Sequence, residues 1–183
     1  MNLSIKPNVL IKDKLQIENS HATRLVLGVE LPSLKTQKVL GVDPGSRNAG
    51  FVHLTKDRAT CFQIKFPPKL KEIQKREKEV GGVCKYILDN YSIDRACIEY
   101  AAFGNHYGQV ALSEMRTMVA VRLLDAGVLT DIIPPLSIRK EVFGHAKIKF
   151  EEEWPSELHK LKDAEAALVC AIYAAIKIGD NKL

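Results

Sequence analysis

The sequence predicts an α/β domain built on a mixed sheet of five strands flanked by helices, with a short extension ahead of it. Three observations carry that prediction. Short apolar runs separated by tight polar turns come first, helical apolar spacing then alternates with further apolar runs, and two of the runs end in an acid. Strands that finish on a carboxylate are strands that finish at solvent.

Val39-Leu40-Gly41-Val42-Asp43 reads as a buried strand, Pro44-Gly45 as a tight turn, and Gly50 to Leu54 as the returning strand. Lys56-Asp57-Arg58 is a polar turn into a third strand, Cys61 to Phe66, and connections this short imply antiparallel pairing. Pro67-Pro68 ends strand character, and Lys69 to Tyr91 then carries Leu70, Ile73, Val80, Val83 and Ile87 at largely helical spacing. Gly81-Gly82 weakens the middle of that helix and leaves room for a kink or break. Ile93 to Tyr100 alternates toward a strand that delivers Glu99 near its end. Gln109 to Asp125 is the clearest helix, with Val110, Leu112, Met115, Met118, Val119 and Leu123 on its apolar side and Gly127 placed to cap it. Val128 to Ile133 is another strand, closed by Pro134-Pro135, and Leu161 to Ile178 is the last helix.

We divide the chain into an extension over 1–37 and a main domain over 38–183. In the extension Leu3, Ile5, Val9-Leu10-Ile11 and Leu25-Val26-Leu27 read as short strands. The 183 residues, 46% of them hydrophobic, suffice for one core. No apolar stretch approaches the roughly 20 residues that cross a bilayer, and Met1 to Pro7 lacks a secretory signal. A soluble protein of the cytoplasm, bacterial or in a phage-infected cell, is the expectation, with an organelle as the other setting. A net charge of +5 and a pI near 9.0 favour a polyanionic partner. Cys61, Cys84, Cys97 and Cys170 show no Cys-x-x-Cys spacing and read as buried, reduced thiols rather than a zinc site.

Asp43 and Glu99 each end an apolar run, and Asp163 opens the late, Ala-rich helix. Acids far apart in sequence, on adjacent strand ends and a facing helix, can hold divalent metal ions for phosphodiester hydrolysis. Such hydrolysis needs a nucleophile, charge neutralisation and help for the leaving oxygen, and two magnesium ions about 3.5–4 Å apart supply all three. Magnesium takes hard oxygen ligands and keeps several waters, so a few carboxylates suffice once substrate phosphate completes the shell. Asp43 on the central strand is then expected to bridge both ions, with Glu99 on one and Asp163 on the other, and manganese is expected to substitute. The plain alternative, that Asp43 merely begins a turn, leaves Glu99 unexplained.

Three strands followed by helix, strand, helix, strand and helix is the order of the ribonuclease H-like fold. Within it the chain resembles the RuvC-type Holliday junction resolvases, whose first motif is a strand closing in Asp-Pro-Gly-Ser followed by a glycine. The resemblance continues at Ile98-Glu99 with Phe103 and Asn105, at Pro135, Ile138-Arg139, Val142 and Gly144, and at Asp163-Ala164 with Ala167-Leu168, from Val39 to about Ile178. It implies a magnesium-dependent endonuclease that cuts four-way DNA junctions as a homodimer, for which the helix Gln109 to Asp125 is a candidate interface. It also implies that Asp43, Glu99 and Asp163 are the catalytic acids. The family often adds an acid three residues after its final aspartate or a histidine three residues before. This chain has Ala166 instead, with Glu165 and His159 nearby. Helical geometry turns Glu165 about 200° from Asp163, and a lone histidine such as His159 is more often a surface or capping residue.

Arg139-Lys140, Lys147 and Lys149 cluster around Gly144, in the region resembling the family segment that carries a functional lysine. Arg139 offers phosphate a planar fork but no tunable proton, so its expected role is electrostatic; a solvated basic loop is the alternative and suits Lys140. Phe103, Asn105, His106 and Tyr107 lie in a loop, Ala101 to Gly108, where Phe103 or Tyr107 either stacks on a splayed base or packs and caps the next helix. Arg47 and Asn48 follow the first acid and are placed to touch the cut strand. Glu151-Glu152-Glu153 repels phosphate and belongs away from it. Two other functions remain open: a related nuclease acting on other branched DNA, RNA or hybrids, and a catalytically inactive nucleic-acid-binding module.

Overall fold

Period-two alternation puts Val39, Val52, Leu54, Ala59, Cys61 and Cys97 on one face of the sheet and Leu40, Val42, Phe51, Phe62, Ile64 and Ile98 on the other; both sets are buried. A sheet apolar on both faces requires helices on both. The computed structural model, which describes residues 15–18, 37–45, 48–56, 58–66, 73–100, 106–144 and 162–180, has that three-layer form.

Its elements are β1 (Leu15–Glu18), β2 (Val39–Asp43), β3 (Asn48–Leu54), β4 (Arg58–Lys65), α1 (Ile73–Asn90), β5 (Arg95–Glu99), α2 (His106–Asp125), β6 (Leu129–Ile133), α3 (Pro135–Phe143) and α4 (Lys162–Asp180). The sheet runs β1-β4-β3-β2-β5-β6. β1 to β4 pair antiparallel, while β2–β5 and β5–β6 are parallel. Helices α1 and α2, the two parallel crossovers, cover one face through Val80, Val83, Ile87, Met115, Val119 and Leu123. Helix α4 covers the other with Ala164, Ala167, Leu168, Ala171 and Ile172, joined by Ile138 and Val142 of α3.

The five expected strands are present, and a sixth, β1, comes from the extension. It lies at Leu15–Glu18, a stretch not singled out from the sequence, and pairs Leu15 with Cys61 and Ile17 with Ala59. The apolar runs 9–11 and 25–27 lie outside the described residues. Helix α1 is continuous through Gly81-Gly82. The reason is packing: a Cβ at Gly81 would stand 3.2 Å from the Arg122 guanidinium and the Met118 sulfur, so the glycine admits α2 rather than breaking α1. Helix α2 begins at His106, so His106, Tyr107 and Gly108 belong to the helix and not to the loop expected over Ala101 to Gly108. Gly127 does cap α2. With φ of 75° it donates its N–H to the Leu124 carbonyl, and Val128 donates to that of Leu123, so the buried Val128 and Leu123 side chains lock the turn. Pro134-Pro135 ends β6 as expected but also starts α3, a helix that the sequence did not predict; Pro135 sits where a helix needs no N–H donor. All four cysteines are free and buried, and burial pushes the Cys61 thiol up to about 12 and that of Cys84 to about 11.

Candidate active site

Strand register brings the acids together. Val42 pairs with Ile98 in the parallel β2–β5 ladder, so one residue further on Asp43 and Glu99 stand side by side at the two strand ends, roughly 4.8 Å apart in Cα position. Asp43 also pairs with Gly50, Gly50 with Gln63, and Glu99 with Ile133. A single row therefore crosses the sheet as Ile133, Glu99, Asp43, Gly50, Gln63. By alternation it faces α4. The N–H of Tyr100 donates to the Ile133 carbonyl at 2.7 Å, carrying β5–β6 pairing past Glu99 and holding that strand end.

Two glycines let α4 lie on this row. A Cβ at Gly41 would fall 1.8 Å from the Ala167 carbonyl oxygen, and one at Gly50 would fall 2.0 Å from that of Asp163. No side chain fits at either place, so the first turn of α4 rests on bare backbone beside Asp43. Asp163, in that turn, benefits from the positive helix end. Its Oδ1 is 3.6 Å from where a Gly45 Cβ would stand, over the turn after β2.

The electrostatics mark the three acids as a group. Burial pushes the Asp43 carboxyl up to about 8, and the charges of Glu99 and Asp163 push in the same direction. Burial raises Glu99 as well, and Arg139 of α3 pulls it back. Asp163 is raised by burial; a backbone N–H, the Lys65 ammonium and a hydrogen bond from the Asn48 side chain oppose that rise. Negative charge held this close is unfavourable unless a proton or a cation offsets it. Among the described residues no three His, Cys, Asp or Glu side chains form a ready-made metal cage. A hard cation that keeps waters and borrows ligands from a phosphate needs fewer protein groups than a cage provides. Three open-edge carboxylates, the central one pushed toward its protonated form, fit such an ion.

The other candidates divide. Arg139 is half-buried within electrostatic range of Glu99. Glu165 and Ala166 are half-buried in the same turn of α4 as Asp163. Tyr107 is in α2, but its side chain, like the whole of Arg47, Phe103, Lys147, Lys149 and His159, lies outside the described residues. Lys65 and Gln63 are the polar groups that the sequence reading passed over; their signal was the alternation Cys61-Phe62-Gln63-Ile64-Lys65, polar on the α4 side.

With that geometry in place, comparison with known proteins adds the following. The family model described as "Crossover junction endodeoxyribonuclease RuvC" matches residues 39–153. The protein of that name from Campylobacter jejuni subsp. jejuni serotype O:2 is 30% identical over 119 residues, covering 63% of this chain and 74% of the relative. Its namesake from Campylobacter curvus is 31% identical over 121 residues, covering 63% and 76%. In fold the chain is similar to the Thermus thermophilus RuvC structure, with a TM-score of 0.58, 18% identity and coverage of 75% and 92%. It is also similar to T. thermophilus RuvC in complex with Holliday junction substrate, with a TM-score of 0.56, 15% identity and coverage of 75% and 91%.

Proposed function

The chain belongs to the crossover junction endodeoxyribonuclease RuvC family, and from that premise we propose that it resolves four-way DNA junctions by paired, metal-dependent phosphodiester hydrolysis. The observation that carries this reading is that Asp43 and Glu99 stand side by side on one row of the sheet while the first turn of α4 lays Asp163 over that row at Gly50, with the Asp43 carboxyl pushed up to about 8 by burial and by the charges of Glu99 and Asp163.

Asp43 and Glu99 are the groups to hold a cation between β2 and β5, and Asp43 and Asp163 a second between β2 and α4. Magnesium, with manganese as substitute, would neutralise phosphate charge and activate water there. The chain's own residues do the rest. Buried carboxylates repel a bare phosphate, which confines productive binding to the cation-loaded state. Arg139 sets its charge against Glu99 from the α3 side, and its fork can take a phosphate oxygen without losing a proton. Asn48 fixes the Asp163 carboxylate. Arg47, Phe103, Tyr107, Lys147 and Lys149, whose side chains lie outside the described residues, are proposed DNA contacts on sequence grounds, and His159 and Glu165 stay as secondary candidates for a further ligand or proton carrier.

Paired cuts require two sites, hence a dimer. A stripe along α2 supports one: Val110, Glu114, Thr117, Val121 and Leu124, spaced three or four apart, are all exposed, and Ile132 of β6 is exposed beside α2. No helix among the described residues is long and apolar enough to cross a membrane, and a cytoplasmic setting suits a DNA substrate.

End-labelled strands of a four-way junction, incubated with protein and magnesium and mapped on a sequencing gel, test the reading. Symmetric nicks on two opposing strands support it. Equal cutting of the junction, an RNA–DNA hybrid and single strands points to a general nuclease instead, and no cutting with retained binding points to an inactive module.

A further inference from the structure

The margin of the site along β4 carries groups that the three acids do not account for. Lys65 ends β4 on the face that covers Asp43, because Cys61 and Ala59, two and three alternations back, pack under α4. It is exposed, and its register partner is Asn48. Asn48 in turn closes on the turn after β2, where its carbonyl oxygen is 2.4 Å and the Asp163 Oδ1 3.6 Å from a Cβ built at Gly45. The Lys65 charge acts on Asp163 and the Asn48 side chain hydrogen-bonds it. One alternation inward, Gln63 is 3% exposed, and its Oε1 is buried without a hydrogen-bond partner.

We propose that Lys65 is a further substrate-contacting residue, holding a phosphate of the DNA strand next to the one being cut. This rests on the nuclease reading above and adds a substrate track along β4. The geometry favours it over a counter-charge role for Lys65. A buried acid wanting compensation is served by a buried or ion-paired cation, whereas Lys65 is exposed at the strand's end, on the side from which a polyanion must approach. Three carboxylates repel the flanking phosphate, and Arg139 acts on the Glu99 side of the site; an exposed lysine on the β4 side relieves that repulsion where the strand leaves the site.

The test compares Lys65→Met and Lys65→Arg with the unmodified protein, using four-way junctions that are all-phosphate or carry one neutral methylphosphonate beside the scissile position. One lost phosphate contact lowers the slope of log affinity against log salt by about 1, so Lys65→Met is expected to flatten the slope by that amount and slow cleavage roughly tenfold or more. Lys65→Arg restores the slope. The methylphosphonate penalty seen with the unmodified protein should vanish in Lys65→Met. An unchanged slope with an unchanged penalty overturns the assignment, as does a raised magnesium requirement with the slope unmoved, which would make Lys65 a counter-charge. Nicking by the unmodified protein with no effect of Lys65→Met overturns the Lys65 role alone; a flattened slope without nicking by any form overturns the nuclease reading and leaves Lys65 as a DNA contact.

Discussion

Asp43 and Gly50 face each other across β2 and β3, and the absent side chain at Gly50 is what allows the Asp163 carbonyl to settle on the sheet beside the Asp43 strand. The third acid reaches the other two because a glycine leaves the space. Gly50→Ala should therefore damage the site as well as the fold. Forcing a methyl against backbone costs about 1–3 kcal/mol in ordinary cores, and a shift of α4 by 1 Å is enough to cost about 100-fold in rate. Cleavage by Gly50→Ala, assayed well below its melting temperature, should fall that far; a variant with lowered melting temperature but normal cleavage would separate the glycine from the site.

Asp43→Asn should abolish nicking and leave junction binding near normal. It should also stabilise the metal-free protein. The Asp43 carboxyl sits at about 8 in the fold against 3.8 unfolded, so the folded state holds the extra proton and stability is lost as pH rises between those values. One pKa unit corresponds to about 1.4 kcal/mol, which sets a gain for Asn of roughly 2–5 kcal/mol near pH 8 and little near pH 4. Urea melts of both proteins without divalent metal measure it, and parallel stability curves across that range would contradict the shift.

His53 gives the opposite slope. It is buried on β3, faces the Ser92 carbonyl at 3.2 Å through Nε2 and packs against the Tyr91 ring at 4.8 Å. Burial holds its pKa below the ordinary value. The neutral ring is the folded form, so its contribution is present above the unfolded pKa of about 6.5 and is lost as pH falls below it. Stability of the unmodified protein should drop through that window, and His53→Gln should flatten the drop. An identical acid limb in the two proteins would show that His53 is not its source.

The exposed α2 stripe predicts the oligomeric state. Val121→Glu with Leu124→Lys places charges where Val121 is 48% and Leu124 59% exposed, so the fold should be untouched while a dimer dissociates and paired nicks become single and unsynchronised. Sedimentation at several concentrations reads the first effect and supercoiled cruciform cutting the second. A double variant that still sediments as a dimer moves the interface elsewhere.

Most of the sheet was legible because its strands are locally coded: Val39-Leu40-Gly41-Val42 and Ala96-Cys97-Ile98 are apolar without interruption, as strands buried on both faces must be. The acids were legible because each interrupts such a pattern at its end. β1 was not, since Leu15–Glu18 has only two apolar residues and exists by pairing with β4 far along the chain. Nor was α3, where Ile138 and Val142 are the sole buried positions and a proline pair signals both an end and a beginning. The closeness of α4 to the sheet was hidden for a different reason. Gly41 and Gly50 look like ordinary strand glycines until the helix that passes over them is known.

Titration of the Asp43 side-chain carboxyl, followed by carbon NMR in protein labelled at aspartate and free of divalent metal, is the most direct measurement. If the three acids share one pocket, its midpoint should lie near 8, move down in Glu99→Gln and in Asp163→Asn, and fall out of the observable range when magnesium is added. A midpoint in the ordinary carboxylate range near 4, indifferent to both substitutions and to magnesium, would show that Asp43, Glu99 and Asp163 do not act on one another.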